Sequence, residues 1–380
     1  MQPVGTIPNN STDKTLSYSL DLLRFPMITI IVLIHTNFAV QPAYMENLAV
    51  NNCDAGIANG IMYYIIGFLA WGSTPVFYTM SGYLFFYKTG DFDKTVYIKK
   101  ISRRIHSLLI PYIIWNLSYL IILLTAQLIV PDLINSNKHT DMSGVKWLWA
   151  FWDMSRINPV NVPGPIDGPL YFIKEIMVMS IFSPLFYFVL KNRKTGICAL
   201  AISMCLFWFN EELHLKDSYA NSVAFFGTGA YLSIHGINIA SVSKKYLKLS
   251  FPLVVISCIA GVWLLDSKFE NLANNIYSTL ACMSAFGVAA LYAGHKIQDN
   301  PEYTPCRILP SSVFFIFASH SMVLSLLMKI LLRIWPLNSD IEVLVCFAVI
   351  WILGTAIPLS AYILCRKVFP RFTAVICGGR

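Results

Sequence analysis

Apolar stretches long enough to cross a bilayer recur along the whole chain, separated by short polar segments. A membrane-spanning helix needs about 20 apolar residues, and backbone groups inside lipid must be paired within the segment, so the stretches predict helices rather than strands. The predicted spans are residues 19–40, 60–86, 105–130, 168–190, 196–213, 219–237, 249–266, 274–294, 310–333 and 341–365. The expected fold is all-α, a polytopic integral membrane helix bundle with about ten transmembrane helices.

Lysine and arginine are distributed unevenly between the two sets of loops. With the N-terminus in the cytoplasm, the cytoplasmic segments hold 19 of the 28 basic residues and the outer loops hold 6. Because positive residues favour the cytoplasmic side, both termini are predicted to be cytoplasmic. The chain then divides into an N-terminal segment (1–16), a transmembrane domain (17–366) and a tail (367–380). The longest extracytoplasmic loop (131–167) could cap a site.

The amino-acid composition supports a membrane protein and limits the classes of partner that are expected. Of the 380 residues, 56% are hydrophobic and 13% are charged, about half the usual charged share. The net charge of +8 follows from membrane topology, so membrane lipids are expected partners and nucleic acid is not. The nine cysteines are odd in number and contain no C-x-x-C pair, which favours inert thiols over a metal site or disulfides.

The first span reads LDLLRFPMITIIVLIHTNF and contains an arginine and a histidine. Eleven residues make about three helical turns, so Arg24 and His35 share a face with Asp21, Ile28 and Ile31. Arg24 is predicted at the cytoplasmic edge, where a snorkelling anchor is the alternative interpretation. His35 is predicted about 16 Å deeper, where ionisable groups usually line a cavity or bond to a neighbouring helix.

The second span carries small or polar residues every seven positions, at Gly67, Thr74, Ser81 and Lys88. Tight helix packing is the expectation at Gly67 and Thr74. Ser81 and Gly82, followed by an aromatic residue, also suit a place where a substrate approaches the backbone. The spacing leaves both interpretations open.

The third span opens with YIKKISRRIHSLLIPY, which puts Lys99, Lys100, Arg103 and Arg104 at the cytoplasmic surface. Lipid headgroups are one expected partner of these side chains. The other is a phosphorylated cytoplasmic ligand, because guanidinium groups bind phosphates with two hydrogen bonds.

Two later spans also contain ionisable residues. Lys174 and Glu175 are predicted about 9 to 10 Å inside the outer boundary, where structural pairing and substrate binding are equally open. His320 is predicted about 15 Å above the start of its span. That depth is close to the depth of His35, so the two histidines could share a site. No carboxylate or cysteine accompanies them at ligand spacing, so no metal is expected.

Taken together, these segments resemble the acyltransferase family 3 integral membrane proteins, in particular the stand-alone bacterial sugar O-acetyltransferases. The first span is similar to a family pattern in which an arginine or lysine is followed by ten residues and then a histidine. STPVFYTMSGYLFFYK is similar to its P-x-F-F-x-x-S-G-Y-L motif, and ISRRIHSLLIPYIIWN to the basic start of its third helix. GPLYFIKEIMVMSIFSPL is similar to G-P-L-W-F-L, and SSVFFIFASHSMVL to a late helix with a second histidine. The resemblance covers about residues 17–365.

The resemblance implies transfer of an acyl group from cytoplasmic acetyl-CoA, or another acyl-CoA, to a hydroxyl of a surface glycan or its lipid-linked precursor. The expected place is the cytoplasmic (inner) membrane of a bacterium. By position, His35 would be the catalytic base and Arg24 its partner on the first helix, while His320 could orient the acceptor. The remaining candidates are Lys100, Arg103 and Arg104 for the CoA phosphates, and Ser81, Tyr171, Lys174 and Glu175 for the substrate.

This sequence departs from the family pattern in two places. Only Lys100-x-x-Arg103 fits the family's R-x-x-R, with a lysine first, which weakens the assignment of CoA contacts. Tyr171 stands where tryptophan is common.

Two other functions fit the same polar residues. A transporter that exports a polysaccharide or lipid-linked sugar would line its path with them, and acyl-CoA-dependent chemistry would distinguish an enzyme from it. The second alternative is a membrane scaffold for glycan assembly. Of the three functions, it gives the poorest explanation for the charged residues deep in the membrane. The sequence leaves homo-oligomerisation open.

Overall fold

The computed structural model describes residues 11–129, 144, 146–157, 163–215, 219–300 and 302–379. These residues form helices and connecting turns without strands, so the predicted all-α class is confirmed. Most of the predicted N-terminal segment and much of the 131–167 loop lie outside the described residues.

The helices are numbered in chain order. They are α1 (Ser11–Ile34), α2 (Pro42–Val50), α3 (Gly56–Gly67), α4 (Ser73–Phe86), α5 (Lys94–Arg104), α6 (Ile110–Ile129), α7 (Lys146–Trp149), α8 (Tyr171–Ile181), α9 (Ser183–Leu190), α10 (Arg193–Trp208), α11 (Ala220–Ile234), α12 (Ile239–Leu264), α13 (Glu270–Asp299), α14 (Ile308–Ile334), α15 (Asp340–Val368) and α16 (Pro370–Ile376).

Seven helical segments in the described part of the chain are long and apolar enough to cross a membrane. Two of them are composite, α3 with α4 and α5 with α6, and the others are α1, α12, α13, α14 and α15. The count becomes eight if α8 and α9, which bend by 59° at their break, form one broken span. Helices α10 and α11 fall on the predicted spans 196–213 and 219–237 and have 16 and 15 residues. The chain is therefore a multi-pass helical membrane protein.

Three predicted spans are interrupted in ways that the apolar pattern does not show. Helix α1 ends at Ile34, so His35 lies in the turn that follows the helix, although the predicted span continues to residue 40. A 3₁₀ turn at Leu69–Gly72 separates α3 from α4. A π-helical turn at Ile105–Leu109 joins α5 to α6, directly after the two arginines. Turns of this kind are frequent at functional sites.

Helices α4 and α11 cross with their backbones in contact, because each contributes a glycine at the crossing. A Cβ on Gly82 would lie 2.0 Å from the Phe226 carbonyl oxygen, and one on Gly229 would lie 2.0 Å from the Thr79 carbonyl oxygen. Tight packing therefore occurs at Gly82. The expectation for Gly67 is wrong, since a Cβ there would meet only the Tyr63 ring, at 3.9 Å.

The residues after α15 form a packed element. Helix α16 lies against α6, where the Trp115 indole N–H donates to the Ile376 carbonyl at 3.0 Å. Gly378 follows with φ of +70°, and a Cβ on it would lie 2.2 Å from the Ser107 carbonyl oxygen. The chain thus supports the π-helical turn beside the basic residues.

Candidate functional site

The two deep histidines meet in the structure. The rings of His35 and His320 have their centroids 5.1 Å apart, with 50° between the ring planes. Helix α14 carries His320 in its interior, and α1 packs against α14, which brings the turn after α1 to that level. Their similar predicted depth therefore corresponds to a shared site.

The two histidines differ in burial and in hydrogen bonding. His320 is fully buried, and its Nδ1 lies 3.1 Å from the Ile316 carbonyl oxygen. A carbonyl only accepts, so Nδ1 carries the proton and Nε2 is an acceptor in the neutral ring. That Nε2 is buried without a partner among the described residues. His35 is partly exposed, so it is the member of the pair that a substrate can reach.

A cavity of about 540 Å³ is lined by residues one helical turn from each histidine, and not by the histidines themselves. Its apolar wall includes Ile31, one turn before His35, and Phe317, whose ring centroid lies 6.0 Å from that of His320. Four basic residues line the same cavity, namely Arg24, Lys100, Arg103 and Arg104. The cavity therefore combines a cationic end with an apolar end that leads towards the histidines.

Helix α5 and the π-helical turn place the basic side chains at the cavity. Asp93 caps α5 by accepting a hydrogen bond of 2.7 Å from the Val96 backbone N–H. Arg104 donates to the Ser81 hydroxyl at 3.3 Å, and Lys100 donates to the Phe85 carbonyl. Arg103 is exposed at the rim. The three predicted phosphate-binding residues and Ser81 are thus brought together.

Arg24 also lines this cavity, on the stripe predicted for α1. Ile28 and Ile31 accompany it there, as the helical periodicity predicted. Its guanidinium lies 2.9 Å from the Asp21 carboxylate, so the charge is partly compensated within α1. Arg24 is separated from His35 by three turns and belongs to the basic end of the cavity.

The three candidates on α8 do not line the cavity. Lys174 donates to the Trp152 carbonyl at 3.1 Å, with its amine 5.2 Å from the Trp152 ring centre. Glu175 accepts a hydrogen bond of 2.5 Å from the Tyr78 hydroxyl. Within the described residues no ion pair joins Lys174 to Glu175, since neighbours on a helix do not face each other. Tyr171 packs against the main core.

The structure adds residues that sequence reasoning missed. Phe77 and Phe172 line the cavity, and Phe172 packs edge-on against Phe317 with centroids 5.8 Å apart. Asp167 is fully buried and accepts a hydrogen bond of 2.9 Å from the hydroxyl of Ser321, the residue after His320. An isolated acid between two Gly-Pro pairs, in GPIDGPL, was the available signal.

The described part of the chain contains no set of side chains that could bind a metal ion. There, no group of three or more His, Cys, Asp or Glu side chains is close enough to hold a metal ion.

The contact of Gly378 with the π-helical turn gives a first testable prediction. Replacing Gly378 by alanine should displace the Ser107 carbonyl and, with it, Arg103 and Arg104. We expect weaker binding of a phosphorylated ligand in the cavity, measured as loss of affinity for CoA in detergent. Gly379→Ala is the matched control, because φ is +80° there but a Cβ would meet nothing within 4 Å. Equal CoA affinity in the two variants would show that Gly378 does not hold the π-helical turn and its arginines in place.

Comparison with known proteins places the chain in a family. The family model described as an acyltransferase domain, that of acyltransferase family 3, matches residues 17–363. The succinoglycan biosynthesis protein ExoH of Rhizobium meliloti (strain 1021) is 22% identical over 385 residues, covering 97% of this chain and 94% of that protein. No solved structure matches the chain significantly. Since the family model covers nearly all of the membrane domain, the chain belongs to acyltransferase family 3.

Proposed function

We propose that the protein is a membrane-bound O-acyltransferase that moves an acetyl or other acyl group from cytoplasmic acyl-CoA to a hydroxyl of an envelope polysaccharide or its lipid-linked precursor. The observation that carries this proposal is the cavity, with its basic end and its apolar end beside the histidine pair. The family supports acyl transfer, and the name of the relative supports a polysaccharide acceptor. A bacterial cytoplasmic membrane suits both substrates.

The donor fits the cavity by its chemistry. The phosphates of CoA need several cations, which Lys100, Arg103, Arg104 and Arg24 supply at one end. The thin and mostly neutral arm that carries the thioester suits the apolar walls. Those walls direct the acyl group towards His35 and His320.

In the proposed reaction His35 is the general base, because histidine changes charge near neutral pH and His35 is the less buried member of the pair. Its ring takes the proton of the acceptor hydroxyl as the hydroxyl oxygen attacks the thioester carbonyl. The tetrahedral intermediate then releases the CoA thiolate, which recovers the proton from the His35 imidazolium. His320 is the positioning residue. Its Nδ1 donates to the Ile316 carbonyl, so its Nε2, which can accept a hydrogen bond, stays beside His35.

The test is transfer of radiolabel from acetyl-CoA and from succinyl-CoA into glycan, in membranes that contain the protein and its native glycan. Label in glycan with either donor supports the proposal. If both donors leave the glycan unlabelled while the protein is present and folded, the acyltransferase is contradicted and glycan export becomes the better explanation.

A second prediction concerns the donor site. Arg103→Gln removes one cation from the exposed rim of the cavity. One charge-assisted hydrogen bond is worth about 1.5–3 kcal/mol, so we expect the KM for acetyl-CoA to rise roughly 10- to 100-fold. The KM for glycan should stay the same. Lys99→Gln is the control, because Lys99 is exposed on the same helix and does not line the cavity. A similar small effect in both variants would place CoA elsewhere.

A further inference from the structure

Aromatic rings from three helices build one end of the cavity. Phe77 of α4, Phe172 of α8 and Phe317 of α14 all line it. The Phe172 ring packs edge-on against both of the others, with its centroid 6.0 Å from that of Phe77 and 5.8 Å from that of Phe317. The Phe317 ring in turn has its centroid 6.0 Å from that of His320. These three phenylalanines, the aromatic wall, therefore lie at the end of the cavity that is nearer to the histidine pair.

The charged side chains lie at the opposite end of the cavity. On α4, the Phe85 ring lies against the Arg104 guanidinium, with 5.5 Å between the ring centre and the guanidinium carbon. Phe77 precedes Phe85 by two helical turns, or about 12 Å along the axis. On α1, Ile31 lies about 10 Å along the axis from Arg24. Two of the helices around the cavity thus separate its charges from its apolar end by about the same length.

The uncharged polar side chains that line the cavity also lie at the basic end. Ser81 accepts a hydrogen bond of 3.3 Å from Arg104, and Ser107 belongs to the π-helical turn that follows Arg104. Apart from these two serines and the four basic residues, the described residues that line the cavity have apolar side chains. The aromatic wall therefore offers a ligand neither a cation nor a side-chain hydrogen-bond donor.

The acyl group of the donor is the part that would meet the aromatic wall. In the proposed reaction the CoA phosphates lie at the basic end, and the thioester carbonyl must reach His35, one helical turn beyond Ile31. The acyl group is the part of an acyl-CoA furthest from its phosphates, so it lies at the opposite end of the cavity. An uncharged chain suits that end, whereas an unpaired carboxylate among apolar side chains is strongly disfavoured.

We propose that Phe77, Phe172 and Phe317 form the acyl-group subsite and select a short uncharged acyl group, such as acetyl, over one that ends in a carboxylate, such as succinyl. This assignment rests on the proposed acyltransferase function. It makes the three phenylalanines specificity-determining residues for the donor, since each of them contacts the acyl group and none of them takes part in proton transfer.

The test compares acetyl-CoA, butyryl-CoA and succinyl-CoA as donors, in membranes that contain the protein and its native glycan. Butyryl and succinyl chains have the same number of carbons and only succinyl ends in a carboxylate, so the comparison separates charge from length. We expect kcat/KM for succinyl-CoA to be at least about 100-fold below that for acetyl-CoA, and below that for butyryl-CoA. A kcat/KM for succinyl-CoA equal to or above that for acetyl-CoA would overturn the inference.

Phe77→Leu tests the aromatic wall itself, at a residue that is only partly buried. The smaller side chain leaves more room, so the ratio of kcat/KM for butyryl-CoA to that for acetyl-CoA should rise about 5-fold or more. Succinyl-CoA should stay a poor donor. A folding defect lowers all three values together and leaves the ratio unchanged. Phe188→Leu is the matched control, because Phe188 is exposed on α9 and does not line the cavity. The same ratio in both variants would show that Phe77 is not part of an acyl-group subsite.

Binding of the same three donors to the purified protein, measured without glycan, separates this inference from the acyltransferase proposal. At least 10-fold weaker binding of succinyl-CoA than of butyryl-CoA supports the subsite even if no transfer to glycan is detected. If no transfer is detected and the two donors bind with similar affinity, the inference is overturned as well.

Discussion

Replacing His35 by alanine should lower the rate of acyl transfer to glycan by about 10²- to 10⁴-fold, which is the contribution expected of a general base. The loss should fall on kcat, because His35 does not line the cavity where CoA is proposed to bind. The measurement is transfer from radiolabelled acetyl-CoA in membranes, with protein amounts matched by immunoblot. CoA affinity of the purified variant should equal that of the wild type.

The control for this variant is His295→Ala, at an exposed histidine near the end of α13 that does not line the cavity. His295→Ala should retain wild-type activity. If His35→Ala also transfers label at the wild-type rate, His35 is not the base. Full retention in His35→Ala with loss in His320→Ala would move the role of base to His320.

Replacing Gly82 by alanine should strongly destabilise the fold. The new Cβ would lie 2.0 Å from the Phe226 carbonyl oxygen, so α4 and α11 would have to separate. Overpacking typically costs about 1–3 kcal/mol, and a backbone atom that cannot rotate away puts this variant at the upper end or beyond. We expect a clear fall in thermal stability in detergent, measured by size-exclusion chromatography after heating.

Gly60→Ala is the matched control, because Gly60 is also helical and a Cβ there would meet nothing within 4 Å. It should be as stable as the wild type. Gly229→Ala, on the opposite side of the same crossing, should behave like Gly82→Ala. Similar melting of Gly60→Ala and Gly82→Ala would show that α4 and α11 are not in backbone contact.

The fold class, seven of the ten predicted spans and the basic cluster were predictable because each depends on local composition. The length of an apolar run and a cluster of lysine and arginine are read directly from the residues. The meeting of His35 with His320 was also predictable, since depth along a helix follows from counting residues from the boundary. These features need no knowledge of which helices are neighbours.

The partners of individual side chains were not predictable, because they depend on contacts between distant parts of the chain. Lys174 could not be assigned to the Trp152 carbonyl, nor Glu175 to Tyr78, from their spacing in α8. For the same reason, close helix packing in the second span was predicted at Gly67, whereas it occurs at Gly82. Gly67 and Gly82 look alike in sequence, and only the position of α11 distinguishes them.

The distance in sequence between the two histidines has a consequence for how the protein is made. His35 leaves the ribosome with the first membrane helix, whereas His320 lies in the ninth of the ten predicted crossing segments. Helix α4, which carries cavity-lining residues, likewise cannot pack until α11 has been made. Chains generally enter the membrane from the N-terminus onward and their helices associate afterwards. The pair therefore cannot form until insertion is nearly complete, so truncated chains released early lack the proposed chemistry.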